Sequence, residues 1–254
     1  MSSVTPDDHR EAKRVADIAG ELLLELRERL VADGTPPAVL KDEGDRQAHE
    51  RIMAELGASR PDDAVLSEEG KDDAVRLERT RVWIVDPLDG TREFSEHPRD
   101  DWAVHIALAE AGHPVVGAVA LPAAGLTLST AEPASVPDTM GERPRMLVSR
   151  TRPPAAATMV ADEMGAELVE MGSAGAKTMA VVRGLADIYV HSGGQYEWDN
   201  CAPVAVAAAA GLHTSRIDGS ELVYNNADPY LPDLLVCRPE LADQALEVLA
   251  RFED

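Results

Sequence analysis

Apolar and polar positions along this chain follow two periods, and the order of those periods predicts an α/β protein. Val15, Ile18, Ala19, Leu22, Leu23, Leu26 and Leu30 recur at helical spacing. Thr5-Pro6-Asp7-Asp8 supplies a cap, a proline at the first helical position and acids in the first turn, and Gly34 closes the helix. A second helix is expected over residues 45–56. Residues 65–67 and 82–85 read as short buried strands, and further strands are expected over 102–109, 115–121 and 127–130. The Pro-containing polar stretch 133–144 marks a boundary between an N-terminal lobe, 1–132, and a C-terminal lobe, 145–254, of what reads as one domain. Beyond it the pattern gives strand 145–149, helix 153–164, strand 167–171, helix 175–183, strand 186–191, helix 199–210, strand 234–238 and a final helix. There are no internal repeats.

Composition narrows the partners. The 254 residues, 44% hydrophobic, suffice for a substantial core. Asp and Glu number 46 against 24 Lys and Arg, and a net charge of −22 argues against nucleic-acid polymers and anionic membranes. A small anionic ligand would have to be drawn in by local metals and a few cations. The N-terminus carries Asp7 and Asp8 and no long apolar run, so no signal peptide is expected, and 201–211 is too short to span a bilayer. Two cysteines, Cys201 and Cys237, read most simply as reduced thiols in a cytoplasm.

The chemistry concentrates in Val82-Trp83-Ile84-Val85-Asp86-Pro87-Leu88-Asp89-Gly90-Thr91. An apolar strand stops at an acid, a proline turns the backbone, and a second acid precedes Gly-Thr. The strand thus delivers two carboxylates to its C-terminal edge, where open α/β sheets place their sites. Such neighbours repel by roughly 4 kcal/mol at 4 Å and an effective dielectric near 20. A bound cation relieves this, and crowded hard oxygens suit Mg2+ or Mn2+. The backbone N–H groups of Gly90 and Thr91 offer a phosphate cradle. Asp199, ahead of the Ala/Val run 204–210, reads either as a plain N-cap or as a third carboxylate; Val65-Leu66-Ser67-Glu68-Glu69 reads as a strand ending in two acids or as a solvated turn.

Taken together and in this order, Ser67-Glu68-Glu69, the Asp86–Thr91 motif and Trp198-Asp199 through Pro203 resemble the inositol monophosphatase superfamily over nearly the whole chain. The resemblance implies a layered αβαβα sandwich of the inositol-monophosphatase/fructose-bisphosphatase type and Mg2+-dependent, lithium-sensitive phosphomonoesterase activity. Two residues separate the acids of the DxxDGT motif, which distinguishes it from the DxDGT of haloacid-dehalogenase phosphatases. Thr91-Arg92-Glu93-Phe94, Asp101-Trp102 through Leu108, Val148-Ser149-Arg150 and Gly172-Ser173 followed by Lys177 look like the bacterial 3′(2′),5′-bisphosphate nucleotidase branch. That branch removes the 3′-phosphate of 3′-phosphoadenosine 5′-phosphate, a by-product of sulfate assimilation.

By the same resemblance, Glu68, Asp86 and the Leu88 carbonyl bind one Mg2+ and Asp86, Asp89 and Asp199 a second, with Asp45 near a third, weaker site. Water activated by the metals is the nucleophile, positioned by Glu68 and the Thr91 hydroxyl, and no phosphoenzyme forms. Asp89, Gly90 and Thr91 line the phosphate; Arg150, Lys177 and His191 are candidates for a second phosphate or the adenosine, and each reads equally well as a surface cation or a strand-end histidine. An inositol-1-phosphate or fructose-1,6-bisphosphate phosphatase is the nearest alternative, a non-catalytic anion-binding relative the more distant one. Assembly as a homodimer is compatible with the resemblance.

Overall fold

Five layers stack in the computed structural model, which describes residues 3–138 and 140–252. Helices α1 (Pro6–Ala32) and α2 (Pro37–Ser59) cover one face of a first sheet, and α5 (Ala174–Val182) and α6 (Glu197–Ala209) lie between that sheet and a second. Helices α4 (Ala155–Met164) and α7 (Pro239–Leu249) close the far side. The first sheet has the order β1 (Ala64–Ser67), β2 (Arg81–Asp89), β3 (Ala103–Glu110), β4 (His113–Leu121), β5 (Leu126–Ser129), with only β1 and β2 parallel. The second has the order β7 (Glu167–Met171), β6 (Arg145–Ser149), β8 (Ile188–Ser192), β10 (Asp233–Cys237), β9 (His213–Ser215). This is the αβαβα sandwich expected from the motifs. The stretch 133–144 joins the last strand of the first sheet to the first strand of the second.

The period-2 alternation of β2 and β3 determines which residues reach the site. Trp83, Val85, Val104, Ile106 and Leu108 pack toward α1 and α2, whereas Val82, Ile84, Ala103, Ala107 and Ala109 face the α5/α6 layer. Asp86 continues the second series, so its carboxylate points between the sheets rather than into the outer helical layer. Arg27 of α1, only 4% exposed, donates to the carbonyls of Glu93, Phe94 and Arg99. It also stacks over Phe94 and Trp102, and so anchors the turn after the Gly-Thr pair.

Three expectations change. The helix expected over 45–56 is α2 and starts at Pro37: Pro37 supplies N1, Leu40 is buried, and Lys41-Asp42-Glu43-Gly44 lies within the helix. Gly44 serves close packing, since a Cβ there would sit 2.8 Å from Leu88 Cδ2 and 2.9 Å from Phe94 Cε1. That approach brings Asp45 up to Thr91. The strand expected to end at Val85 runs on to Asp89 through a bulge between Asp86 and Asp89, where Pro87 removes a ladder donor at no cost to pairing. The strand β9, of three residues, was not anticipated, being too short to show a period.

Candidate active site

The bulge in β2 is what turns two carboxylates sharing one strand into two walls of one site. Asp86 accepts from the backbone N–H of Leu88 at 3.0 Å, closing a local turn that fixes its side chain. Asp89 follows the bulge and faces the N-terminus of α5. Its Oδ2 accepts from Ser173 Oγ at 2.5 Å and from Gly175 N at 2.6 Å, and its Oδ1 from Ala174 N at 3.2 Å. Asp199 closes the third side. The sequence suggested it as an N-cap; in fact Tyr196 is the N-cap and Asp199 occupies the third helical position, its Oδ2 accepting from Tyr196 N at 2.6 Å. One oxygen from each of Asp86, Asp89 and Asp199 lies within 4.8 Å of the others.

Glu68, just past β1, lies near enough to Asp86 for its charge to raise that carboxyl's pKa. On the opposite side Thr91 Oγ1 donates to the Leu88 carbonyl at 3.1 Å and lies 3.4 Å from Asp45 Oδ1. Gly90, at φ 84°, caps the short helix α3 (Thr91–Ser95). Glu68, Asp86, Leu88, Asp89, Thr91, Asp45 and Asp199 are therefore brought together from four segments of the chain.

Electrostatics separates these acids. Burial, then the charges of Glu68, Asp89 and Asp199, pushes Asp86 well above the usual carboxylate range. Burial, followed by Asp89 and Glu68, raises Asp199 to about 7, and burial with Glu69 and Asp42 raises Asp45 to about 7. Loss of solvent around the carboxyl, with Glu69, Asp89 and Asp45, lifts Glu68 to about 7, although the residue as a whole stays open to solvent. Asp89 goes the other way: burial opposes its charge, but His105, Ser173 and the Gly175 N–H outweigh burial and hold it at about 2. A cluster of hard oxygens, most of whose pKa values are raised by burial and by one another's charge, is a donor set that fits a divalent cation such as Mg2+ or Mn2+.

His105 did not emerge from the sequence, although a lone histidine on the Ala103/Ala107 face of a buried strand was a legible signal. It is fully buried. Its Nδ1 lies 3.0 Å from the Trp198 carbonyl. Its Nε2 is 3.2 Å from Asp89 Oδ2, out of hydrogen-bond alignment. It thus touches both the β2 side and the α6 side of the site. Gly175 makes room for it, since a Cβ there would meet Nε2 at 2.0 Å.

The three cations singled out from the sequence sort differently. Lys177 is only 5% exposed and donates to the carbonyls of Ser173 at 2.5 Å and Gly172 at 3.3 Å. Arg150 binds Glu93 at 2.6 Å and Glu96 at 2.7 Å, beside α3. His191 is held by the Gly193 carbonyl at 3.0 Å; burial, then Lys177, depresses it to about 4, so it is neutral near pH 7.

This fold and this carboxylate centre define a class, and the chain belongs to the inositol monophosphatase family, whose profile matches residues 7–250. Members of that family depend on metal ions. Within it, the chain is 52% identical over 244 residues to the 3′-phosphoadenosine 5′-phosphate phosphatase of Mycobacterium tuberculosis, covering 91% of this chain and 89% of that protein. It is 33% identical to the Escherichia coli 3′(2′),5′-bisphosphate nucleotidase CysQ, covering 86% and 94%. CysQ from Bacteroides thetaiotaomicron superposes with a TM-score of 0.75 at 28% identity over 93% of this chain and 99% of that one. An inositol monophosphatase from Staphylococcus aureus gives a TM-score of 0.78 at 20% identity, covering 98% and 100%, a likeness of fold alone. No helix among the described residues is long and apolar enough to cross a membrane.

Proposed function

We propose that this protein is a metal-dependent phosphomonoesterase that removes the 3′-phosphate of 3′-phosphoadenosine 5′-phosphate. The observation that carries this reading is the convergence of Asp86, Asp89 and Asp199 in a chain more than half identical to an enzyme named for that substrate. Glu68, Asp86 and the Leu88 carbonyl are assigned to one ion, Asp86, Asp89 and Asp199 to a second, and Asp45 to the neighbourhood of a third. The proposed ion is Mg2+, with Mn2+ able to substitute. Bound there, the ions supply charge for the phosphoryl oxygens and make water more acidic.

The chain's own groups then orient water and carry its proton. Thr91 Oγ1, between the Leu88 carbonyl and Asp45, is assigned to fix a water for in-line attack. Glu68 and Asp45 are the carboxylates assigned to receive its proton. Asp89 keeps its charge because its donors are already in place, so it serves as a fixed anion and not as a nucleophile. Gly90 and Thr91 present backbone N–H groups to the transferred phosphate. Arg150, at the end of β6 and beside α3, is the group assigned to the second phosphate; Lys177 acts by holding the Ser173 turn, and neutral His191 offers a hydrogen bond without charge. The cytoplasm is the proposed compartment, where the buried Cys201 and Cys237 remain thiols.

Phosphate release from 3′-phosphoadenosine 5′-phosphate, inositol-1-phosphate and fructose-1,6-bisphosphate at matched concentration, with Mg2+ and with chelator, tests the reading. The nucleotide should be the best substrate and chelator should abolish turnover. Preference for either other substrate would replace the nucleotidase assignment by an inositol or sugar phosphatase; absence of turnover on all three would replace it by a binding role.

A further inference from the structure

The chain is poor in aromatic residues, with Phe 2, Trp 3 and Tyr 4. Trp83, Trp102, Phe94, Tyr189 and Tyr224 are all buried. Trp198 and Phe252 are half-buried, and Tyr196 and Tyr230 are the most exposed, at 41% and 43%. They are also together. Tyr196 stacks parallel on the half-buried Trp198, with centroids 4.9 Å apart and planes 6° off parallel, and Tyr230 meets Tyr196 edge-on at 5.7 Å and 77°.

The backbone beneath these rings is tied down. Tyr196 and Tyr230 form an antiparallel bridge, flanked by Leu231 N to the Gln195 carbonyl at 2.9 Å and Glu197 N to the Pro229 carbonyl at 2.8 Å. Gly194 N donates to the Tyr230 hydroxyl at 3.2 Å. The buried Glu197 carboxylate accepts from the backbone N–H groups of Asn225 and Asn226 at 2.7 and 2.8 Å, which secures the same loop to the start of α6. The platform also adjoins the carboxylate centre, because the N–H of Tyr196 is the donor that holds Asp199.

We infer that Tyr196, Trp198 and Tyr230 form a stacking platform for the purine base of the nucleotide whose phosphate reaches Asp86, Asp89 and Asp199. The inference rests on the nucleotidase reading above. Mutual packing of three aromatics would bury them further than this, whereas an incompletely covered, parallel pair on a fixed backbone retains a flat apolar surface for a planar ligand. Charge supports the same occupant. A phosphorylated ligand approaching a chain of net charge −22 gains little from long-range attraction, and stacking of a neutral base is insensitive to that repulsion.

Trp198 is the one tryptophan not fully buried, so its emission reports on the platform without turnover. Adenosine 5′-monophosphate titrated into the protein should quench it saturably, ribose 5-phosphate should not, and Tyr196→Leu should abolish the effect while Tyr196→Phe retains it. In kinetics, Tyr196→Leu and Tyr230→Leu should each lower kcat/KM for 3′-phosphoadenosine 5′-phosphate about tenfold more than for inositol-1-phosphate, the loss expected of one stacked base. Equal losses on both substrates, or quenching by ribose 5-phosphate as strong as by the nucleotide, would overturn the platform. Should the parent fail to hydrolyse the nucleotide, the functional assignment falls, and the quenching arm still decides whether the rings bind a base.

Discussion

Ser173 donates its hydroxyl to Asp89 at 2.5 Å across 84 residues of chain, from a backbone φ of 51°. That conformation aims the next N–H groups, of Ala174 and Gly175, at the same carboxylate, and the Lys177 ammonium holds it by binding the Ser173 carbonyl. The turn costs local strain and leaves Asp89 charged inside the protein.

Ser173→Ala removes one hydrogen bond to a charged acceptor, a loss of about 1.5–3 kcal/mol, and should lower kcat/KM roughly ten- to a hundredfold. Ser173→Gly should be as slow as the alanine variant yet melt at a higher temperature, because glycine accepts the positive φ without strain. Thermal unfolding of the two variants side by side checks this; an alanine variant as stable as the glycine one would remove strain from the account.

Asp86→Asn should abolish turnover, since one carboxylate is assigned to both principal ions. Its metal-free form should be at least as stable as the parent, as repulsion from Glu68, Asp89 and Asp199 falls. Thermal unfolding with and without Mg2+ should show the stabilisation by metal in the parent and its loss in the variant. Activity within about tenfold of the parent would refute the shared-ligand assignment.

Without metal, stability should fall as pH rises from acid through neutrality. Asp45 and Asp199 titrate at about 7 in the folded chain against 3.8 when unperturbed, and Asp86 is likewise raised well above the usual carboxylate range. Between those values the folded state holds more protons than the unfolded one, so raising the pH favours unfolding. Asp89 has the opposite sign, but its stabilisation is complete above 3.8 and is lost only as pH falls toward about 2, outside this window. Denaturant unfolding at pH about 5.5 and 8 should give the lower stability at the higher pH in chelator. Saturating Mg2+ should shrink or invert the difference, because it binds the deprotonated carboxylates.

Arg150→Ala should lower kcat/KM for 3′-phosphoadenosine 5′-phosphate about tenfold more than for inositol-1-phosphate, by loss of one charge-assisted contact. Lys177→Met should depress both substrates alike and lower the melting temperature, since its ammonium serves the Gly172 and Ser173 carbonyls. A substrate-selective effect at Lys177 instead of Arg150 would exchange their assignments.

The sequence by itself determined the succession of elements and the two acids of β2. Both are local: an apolar run ending at Asp86, and a helical stripe from Val15 to Leu30, can be read without knowing what packs against them. The carboxylate triad was legible only as a set of motifs: Asp86 ends an apolar run, whereas Asp89 and Asp199 were joined to it by the family resemblance that the motifs carry in order. Tertiary structure decided the rest. Helix α2 begins at Pro37 because Leu40 and Gly44 find Leu88 and Phe94 across the layer. The bulge at Pro87 and Leu88, not the proline alone, brings Asp86 and Asp89 to one centre. Asp199 became a third-position residue when Tyr196 took the cap, paired with Tyr230 from a distant loop. His105, Gly175 and Ser173 acquired their roles only together, since a histidine, a missing Cβ and a positive φ have no meaning until α5 lies against β3 and Asp89. Hydrophobic period is a property of neighbours in the chain, whereas the charge state and aim of a buried side chain depend on groups that only folding brings near.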